Sequence, residues 1–386
     1  MNNISRFKVD KWLFISMILL ASISILIISS AQTMLPSYLQ SNYALKQVIW
    51  FVLGFVIIYS IMIVDNEFIY RFAWPIYIIG VLSLIFLYFA PASIAPIING
   101  AKCWFKIPII GGTIQPSEFM KIALIIVIAK IINDHGQKVS DPSMRDELML
   151  ILKVLVVTLI PSILTFLQPD TGIVVIYLVI SVVMLFVGGI SYRWFIIFGL
   201  IGILGIGFVL LLHTFNRDLF ISLLGTSFFY RVERLLSWFD QSGMQLENAL
   251  ISMGSAGLFG HGFGNNVIYF PEAHTDFIFS VWTSNFGFLG AAILITIIIF
   301  FDFKLIQTAM QNDERLNVYV MSGIISMLVF QQIQNIGMNI GLLPIVGITL
   351  PFISYGGSSL LSYMIMMGLV YNTSNENLKF TNKTTF

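Results

Sequence analysis

Charged residues and cysteine are both scarce in this chain of 386 residues. Lys and Arg number 20 and Asp and Glu 19, so only 10% of the residues are charged and the formal net charge is +1. Without a basic cluster or an excess of positive charge, nothing indicates nucleic-acid binding. The single cysteine, Cys103, excludes an internal disulfide and a cysteine metal cluster, so the redox compartment cannot be read from it.

Long apolar runs take the place of the missing charge. Hydrophobic residues make up 58% of the chain and Phe alone occurs 34 times. The mean hydropathy of +0.91 excludes a soluble surface. We therefore predict an all-α, polytopic membrane protein in which residues 1–386 form a single membrane domain. The ten predicted spans are roughly Trp12–Ser30, Lys46–Val64, Ala73–Ala90, Ser117–Asn133, Met149–Leu167, Thr171–Val187, Trp194–His213, Phe277–Phe301, Val318–Ile340 and Ile348–Tyr371.

The distribution of Lys and Arg predicts the orientation. With a cytoplasmic N-terminus, 13 basic residues lie inside and 7 outside, which agrees with the positive-inside rule. Both termini are then cytoplasmic, and a large loop, 214–276, lies outside between spans seven and eight. The unusual polar residues share this outer face: Trp104, Glu118, Lys121, Asp170, Arg231, His274 and Asp276.

Asp276 stands where a polar loop runs directly into an uncharged span. One interpretation is structural, because Thr275 or Asp276 can cap the first turn of a helix as acceptor for its free N–H groups. The other is a carboxylate that acts on a substrate at the membrane face. A helix start is expected to lower the pKa of this carboxylate and so to weaken it as a base.

Glu118 and Lys121 lie at i, i+3 just inside a span, where ionisable side chains are functional candidates by default. Trp104, between two lysines, is either a membrane-interface anchor or a site residue. Asp170 is either the N-cap of the next helix or part of a polar cluster. Arg231 and Arg234 are one helical turn apart and can hold a phosphate or pyrophosphate, unless they belong to a solvated loop helix.

Polar and backbone-breaking residues also cluster near the last span. Asn335 and Asn339 share a helix face, and Gly and Pro residues interrupt the following stretch up to Ser359. Irregular backbone at membrane depth occurs where protein or a water-lined cavity satisfies it. We therefore expect a substrate-binding cavity here, with candidate residues Ser354, Gly356, Gly357 and Ser358.

Five ordered motifs resemble the SEDS proteins (shape, elongation, division and sporulation), the group that contains RodA and FtsW. They are Gly100–Phe105, Gln115–Lys121, Gln168–Gly172, Pro271–Phe277 and Gly341–Ser359. The short N-terminus resembles RodA more than FtsW. Two features depart from the family pattern: Cys103 stands where an Arg is usual, and Ser284-Asn285 stand where an acidic pair is usual.

The resemblance implies a peptidoglycan glycosyltransferase that polymerises lipid II at the outer leaflet of the bacterial plasma membrane. It also implies a class B penicillin-binding protein as transpeptidase partner. The aspartate that matches Asp276 is catalytic in such proteins, and the Trp that matches Trp104 matters for activity.

The chemistry agrees with this expectation. A sugar hydroxyl must attack an anomeric carbon while undecaprenyl pyrophosphate leaves, which needs one base and cations for the leaving group. Asp276 fits the base, and Lys121 and Arg231 fit the cations, with Arg234 or Lys102 as a further candidate. A divalent cation, Mg²⁺ or Mn²⁺, bridging Asp276 to the pyrophosphate is left open, although no metal-ligand spacing stands out.

Two other functions fit part of the pattern. A flippase or transporter for a lipid-linked sugar would also use charges within the membrane and a broken last helix. A scaffold without activity would tolerate the neutral Ser284-Asn285 pair. The unusual residues gather at one face, which favours chemistry there over transport.

Overall fold

The computed structural model describes residues 9–35, 41–98, 100–107, 112–139, 141–237 and 244–381, with fourteen α-helices among them. The helices that coincide with the predicted spans are α1 (Lys11–Ala31), α2 (Tyr43–Met62), α4 (Ala73–Phe89), α5 (Pro116–Lys138), α6 (Met144–Leu167), α7 (Thr171–Val187), α8 (Tyr192–Phe215), α12 (Ile278–Met310), α13 (Arg315–Asn339) and α14 (Gly357–Thr381). The shorter ones are α3 (Asn66–Arg71), α9 (Arg217–Leu224), α10 (Thr226–Ser237) and α11 (Met244–Gly254).

Six of the described helices have the length and composition to cross a membrane, namely α1, α2, α6, α8, α12 and α13, and α4 and α7 are shorter apolar helices. The all-α, polytopic membrane fold is thus confirmed. A two-stranded antiparallel hairpin, β1 (Phe105–Ile107) and β2 (Gly112–Ile114), precedes α5 and was not predicted.

Two predicted spans differ from the helices. The tenth was predicted to start at Ile348, but α14 starts at Gly357, because Gly347 and Phe352 have φ of 68° and 62° and turn the chain first. The eighth is interrupted at Gly287, whose φ of 66° and ψ of −165° break α12. A side chain at Gly287 would collide with the backbone of Leu258, so the loop before α12 packs into this break.

Helix α5 lies at the centre of the bundle, and the side chains from Met120 to Ala129 are all buried. It packs against α4, α6, α7, α13 and α14. Helices α2 and α14 pack closely through small residues, since a Cβ on Gly54 would lie 2.4 Å from Met364 Cγ. The centre of the bundle therefore carries both a long buried helix face and the charged residues Glu118 and Lys121.

Helix α8 stands apart from this core, because none of its residues is buried. Its start is tied to α6 by Glu147, which accepts hydrogen bonds from Ser191 Oγ and, at 2.8 Å, from Trp194 Nε1. Beyond its other end, Phe220 and Phe229 of α9 and α10 form a small separate core.

Candidate functional site

The loop that carries Asp276 is a compact turn between α11 and α12. Glu272 adopts a φ of 55°, and its carbonyl accepts from Phe277 N at 3.1 Å. Its carboxylate accepts from Thr275 Oγ1 at 2.7 Å. These bonds close the loop on itself directly before the first turn of α12. We call the end of the bundle that carries this loop the site face.

Two amides of α13 hold the Asp276 carbonyl. Asn335 Nδ2 and Asn339 Nδ2 each donate to Asp276 O at 2.9 Å. Asn335 Nδ2 also donates to Ile348 O at 2.7 Å, so the same amide ties the loop to the irregular stretch before α14. The backbone on which the Asp276 side chain stands is therefore fixed from a neighbouring helix.

The predicted capping role of Thr275 or Asp276 is wrong. Phe277 is the N-cap residue of α12, and neither its own nor any neighbouring side chain of the loop caps the helix. The acceptor comes from α13 instead: Asn339 Oδ1 accepts from Ser280 N at 3.1 Å and from Ser280 Oγ at 2.6 Å. A residue distant in sequence thus satisfies the N–H that Asp276 was expected to bind.

The Asp276 carboxylate is partly buried and accepts no hydrogen bond from the residues that the structure describes. Gly347 lies beside it, close enough that a Cβ there would be 3.8 Å from Asp276 Oδ2. Burial, followed by the negative charges of Glu272 and Asp170, raises the pKa of Asp276 from 3.8 to about 7. The expected lowering of this pKa is therefore wrong, because the carboxylate is buried beside two negative charges and accepts no hydrogen bond from the first turn of α12 among the described residues.

His274 and Ser354 lie next to the Asp276 loop. Ser354 Oγ donates to Thr275 O at 2.6 Å, and Tyr355 N donates to His274 O at 2.9 Å. The His274 ring lies 4.6 Å from that of Tyr43 between centroids. Burial lowers the pKa of His274, with Glu272 opposing, so its neutral form is favoured in this aromatic setting.

Gln115 joins three further predicted residues. Its Oε1 accepts from Trp104 Nε1 at 3.1 Å and its Nε2 donates to Asp170 Oδ2 at 2.7 Å. Its backbone N donates to Ser358 Oγ at 3.0 Å. Trp104, Asp170 and Ser358 thus come from separate segments and meet at one glutamine.

Asp170 fulfils both interpretations left open by its sequence position. It is the N-cap of α7, accepting from Ile173 N at 3.3 Å, and it belongs to the Gln115 cluster. Burial is the main cause that raises the pKa of Asp170 to about 6. Because Asp170 also raises the pKa of Asp276, the two carboxylates act on each other electrostatically.

Glu118 and Lys121 form an ion pair in the core, with Lys121 Nζ 2.7 Å from Glu118 Oε2. The Lys121 side chain is 0% exposed and its ammonium lies 5.1 Å from the centre of the Tyr363 ring. Glu118 also accepts from Ser362 Oγ. In this arrangement the positive charge of Lys121 is neutralised by Glu118 and has no access to solvent.

The other predicted residues lie in different settings. Gly356 directly precedes α14 and Gly357 is its first residue. A Cβ on Gly357 would come within 2.7 Å of the Trp50 ring. Arg231 and Arg234 belong to α10, but their side chains lie outside the described part of the structure. No group of three His, Cys, Asp or Glu side chains in the described ranges is arranged to hold a metal ion.

Ser284 and Asn285, the neutral pair where the resemblance leads one to expect two acidic residues, belong to a hydrogen-bond network at the break in α12. Asn285 Oδ1 accepts from Ser30 Oγ and Gly264 N, and Asn285 Nδ2 donates to Asn266 and Val281. All four hydrogen-bonding positions of this amide are used, which a carboxylate cannot reproduce. Ser284 Oγ accepts from Ser252 Oγ at 2.9 Å.

Sequence reasoning missed Gln115, Gly347 and the full role of the two asparagines of α13 as residues of this site. Gln115 lies within a motif that was recognised, and Asn335 and Asn339 are amides in an apolar helix, a signal that could have identified them. Nothing local marks Gly347, whose importance lies in its approach to Asp276.

The fold and site together define a polytopic membrane protein whose Asp276 carboxylate, at one membrane face, has no hydrogen-bond partner among the described residues. The sequence profile of the FtsW/RodA/SpoVE family, described as cell cycle protein, matches residues 10–379. The chain therefore belongs to this family. It is 30% identical to the probable peptidoglycan glycosyltransferase FtsW of Methylomonas methanica, over 96% of this chain and 93% of that one. It is 31% identical to stage V sporulation protein E of Bacillus subtilis, over 95% and 96%.

Solved structures show the same fold. A chain of a peptidoglycan synthase complex superposes with a TM-score of 0.76 at 24% identity, over 96% of this chain and 98% of that one. The rod shape determining protein RodA of Thermus thermophilus gives a TM-score of 0.68 at 24% identity, over 98% and 99%.

Proposed function

We propose that this protein is a peptidoglycan glycosyltransferase that polymerises lipid II into glycan strands. The observation that carries the proposal is the Asp276 carboxylate, which is free of hydrogen bonds to described residues while its backbone is held by two amides. With a pKa raised to about 7, it accepts a proton far more readily than an ordinary aspartate near neutral pH. The names of the relatives agree with this activity.

In the proposed reaction Asp276 removes the proton of a sugar hydroxyl as the hydroxyl oxygen attacks the anomeric carbon of a second lipid II. The bond from that carbon to the pyrophosphate oxygen breaks, and the linkage inverts from α to β. Undecaprenyl pyrophosphate leaves with the bonding electrons, so no acid is required if cations stabilise its charge. Trp104, Asp170, His274, Ser354, Gly356, Gly357 and Ser358 are the proposed substrate-binding residues around it.

The ion pair between Glu118 and Lys121 limits which cations can bind the leaving pyrophosphate. Lys121 is neutralised by Glu118, which favours a positioning role for both residues over direct binding. Arg231 and Arg234 remain the proposed pyrophosphate partners. A Mg²⁺ or Mn²⁺ ion does not find three protein ligands among the described residues, so no step is assigned to it; activity after EDTA treatment and metal titration tests its involvement.

We further propose that the site face is extracellular, with both termini cytoplasmic in the bacterial plasma membrane, as the distribution of Lys and Arg predicts. A class B penicillin-binding protein is the proposed partner, in keeping with the synthase complex that shares this fold. The RodA-like role in elongation stays a separate hypothesis. Rounded cells on depletion would support it, whereas filaments would indicate division.

Purified protein given lipid II and assayed for glycan strands on gels tests the activity. Wild type is expected to form strands and Asp276→Ala none, while Asp134→Ala, at an exposed position of α5, retains activity. Movement of lipid II across vesicles without strands would support the flippase, and neither activity would support the scaffold. Strand formation by a folded Asp276→Ala variant would show that the catalytic assignment is wrong.

A further inference from the structure

Asn339 makes two kinds of bond to the segment that carries Asp276. Its Nδ2 donates to Asp276 O at 2.9 Å, and its Oδ1 accepts from Ser280 N and Oγ at 3.1 and 2.6 Å. Ser280 is the third residue of α12, where a capping side chain normally acts. The fully buried side chain of Asn339 thus binds the carbonyl of Asp276, which precedes the N-cap residue. It also accepts from Ser280 N, the N–H group that a capping side chain of the loop would otherwise bind.

Asn335, one turn earlier on α13, binds the same carbonyl. Because its Nδ2 also donates to Ile348 O at 2.7 Å, it fixes Asp276 relative to the segment that contains Gly347. Two donors on one carbonyl oxygen fix the orientation of the peptide plane after Asp276. Because the Cα atom of Asp276 belongs to that plane, the point from which its side chain projects is fixed as well.

We propose that Asn339, assisted by Asn335, is a positioning residue that caps α12 from outside and thereby keeps the Asp276 carboxylate free to accept a proton. This inference rests on the proposed function, in which Asp276 is the base. It explains why a sequence pattern that favours capping by Asp276 yields a carboxylate that does not cap. Without these amides, the chain can take the geometry in which Asp276 itself accepts from the first turn of α12.

A capping carboxylate would be a poorer base. A hydrogen bond from a helix N–H stabilises the charged form and lowers the pKa, by about one unit or more for a well-placed donor. The charged groups that act on Asp276 are Glu272 of its own loop and Asp170 before α7. The charge of Glu118 in turn raises the pKa of Asp170, and that of Lys121 lowers it.

None of these charged side chains hydrogen-bonds to Asn339 among the described residues. Replacing Asn339 therefore leaves the surrounding charges in place and removes its hydrogen bonds to Asp276 O, to Ser280 and to Asn335. An effect on the titration of Asp276 then reports the loss of these hydrogen bonds rather than a loss of neighbouring charge.

The test compares Asn339→Leu, which has a similar size without polar atoms, with wild type. We expect kcat per folded molecule to fall about ten- to hundredfold, as for a misplaced catalytic group, with KM changed less than about twofold because substrate contacts remain. The acid limb of the pH–rate profile should move down by about one pH unit. Asn339→Ser, which is too short to reach both partners, serves if the Leu variant does not fold.

Asn372→Leu is the matched control. Asn372 is also a buried helical asparagine whose Nδ2 donates to backbone carbonyls, those of Ile61 and Val64, at a place remote from Asp276. It is expected to lose stability but to keep the kcat and the pH profile of wild type. An Asn339 variant that behaves in the same way has only a structural role, and the proposal is then wrong.

A second measurement needs no activity. The thermal midpoint of chains with Asp276 and with Asp276→Asn is compared across pH, once with Asn339 retained and once in the Asn339→Leu background. The pH at which the difference between the two curves levels off follows the pKa of Asp276 in the folded protein, and it is expected to be lower in the Asn339→Leu background. Equal values would overturn the positioning role, whereas strand formation by Asp276→Ala would overturn the proposed function itself.

Discussion

Replacing Asp276 by Asn should abolish polymerisation and at the same time stabilise the folded protein at pH 8. The reason is that the ionised carboxylate is partly buried without a hydrogen bond from the described residues. A pKa raised from 3.8 to about 7 corresponds, at about 1.36 kcal/mol per unit, to at most about 4 kcal/mol of destabilisation. Partial exposure reduces the effect, so we expect a gain of about 1–4 kcal/mol.

The pH dependence has a definite sign. Because the pKa of Asp276 is higher in the folded than in the unfolded state, the folded protein binds the proton more tightly between pH 3.8 and about 7. The stability associated with this proton is present below about pH 4 and is lost as the pH rises through 7. The advantage of Asp276→Asn is therefore expected at pH 8 and should vanish near pH 4.

Cys103 provides the assay. It is the only cysteine of the chain, it is 3% exposed, and burial is the main cause that raises the pKa of its thiol to about 12. A thiol-reactive fluorogenic dye should therefore label the protein only as it unfolds on heating. Asp134→Asn, at an exposed position, should leave the midpoint unchanged. A midpoint of Asp276→Asn equal to that of wild type at pH 8 would refute the reasoning.

Three further predictions concern the surroundings of the site. Lys121→Met should lower the unfolding free energy by about 3–5 kcal/mol in the same dye assay, since it leaves Glu118 charged and unpaired. Adding Glu118→Gln to the same chain should restore part of the loss. A Lys121→Met variant as stable as wild type would contradict this prediction. Gly347→Ala should lower kcat in the strand assay, because it adds about 1–2 kcal/mol of backbone strain beside Asp276; unchanged kcat would count against that contact. Asn285→Asp should lower stability by about 1–3 kcal/mol through its lost donor bonds, and a midpoint equal to that of wild type would show that the network tolerates an acid.

The fold could be predicted from the sequence because its signal is local. An uncharged run of about 20 residues has few alternatives to a membrane helix. Each predicted span overlaps a helix of the structure, and six of the described helices have the length and composition to cross a membrane. The start of the last helix was missed because the mainly apolar composition of Ile348–Phe352 does not distinguish a helix from an irregular segment. Its backbone is instead set by contacts such as that from Asn335 to Ile348.

The candidate site could be predicted in part. Asp276, Glu118 and Asp170 stand out as carboxylates at or inside an apolar span, which is unusual wherever it occurs. The state of Asp276 could not be predicted, since it depends on an asparagine 63 positions further along the chain. The same holds for Lys121, whose charge is cancelled within the core by Glu118.

The central claim is that the Asp276 carboxylate, relieved of any capping role, acts as the base of lipid II polymerisation. The pH dependence of kcat/KM for the purified wild-type chain tests it most directly, because this quantity reports the pKa of the free enzyme. An acid limb near pH 7, in line with a pKa of Asp276 of about 7, is the predicted result. A rate that stays constant down to pH 5 would contradict the account.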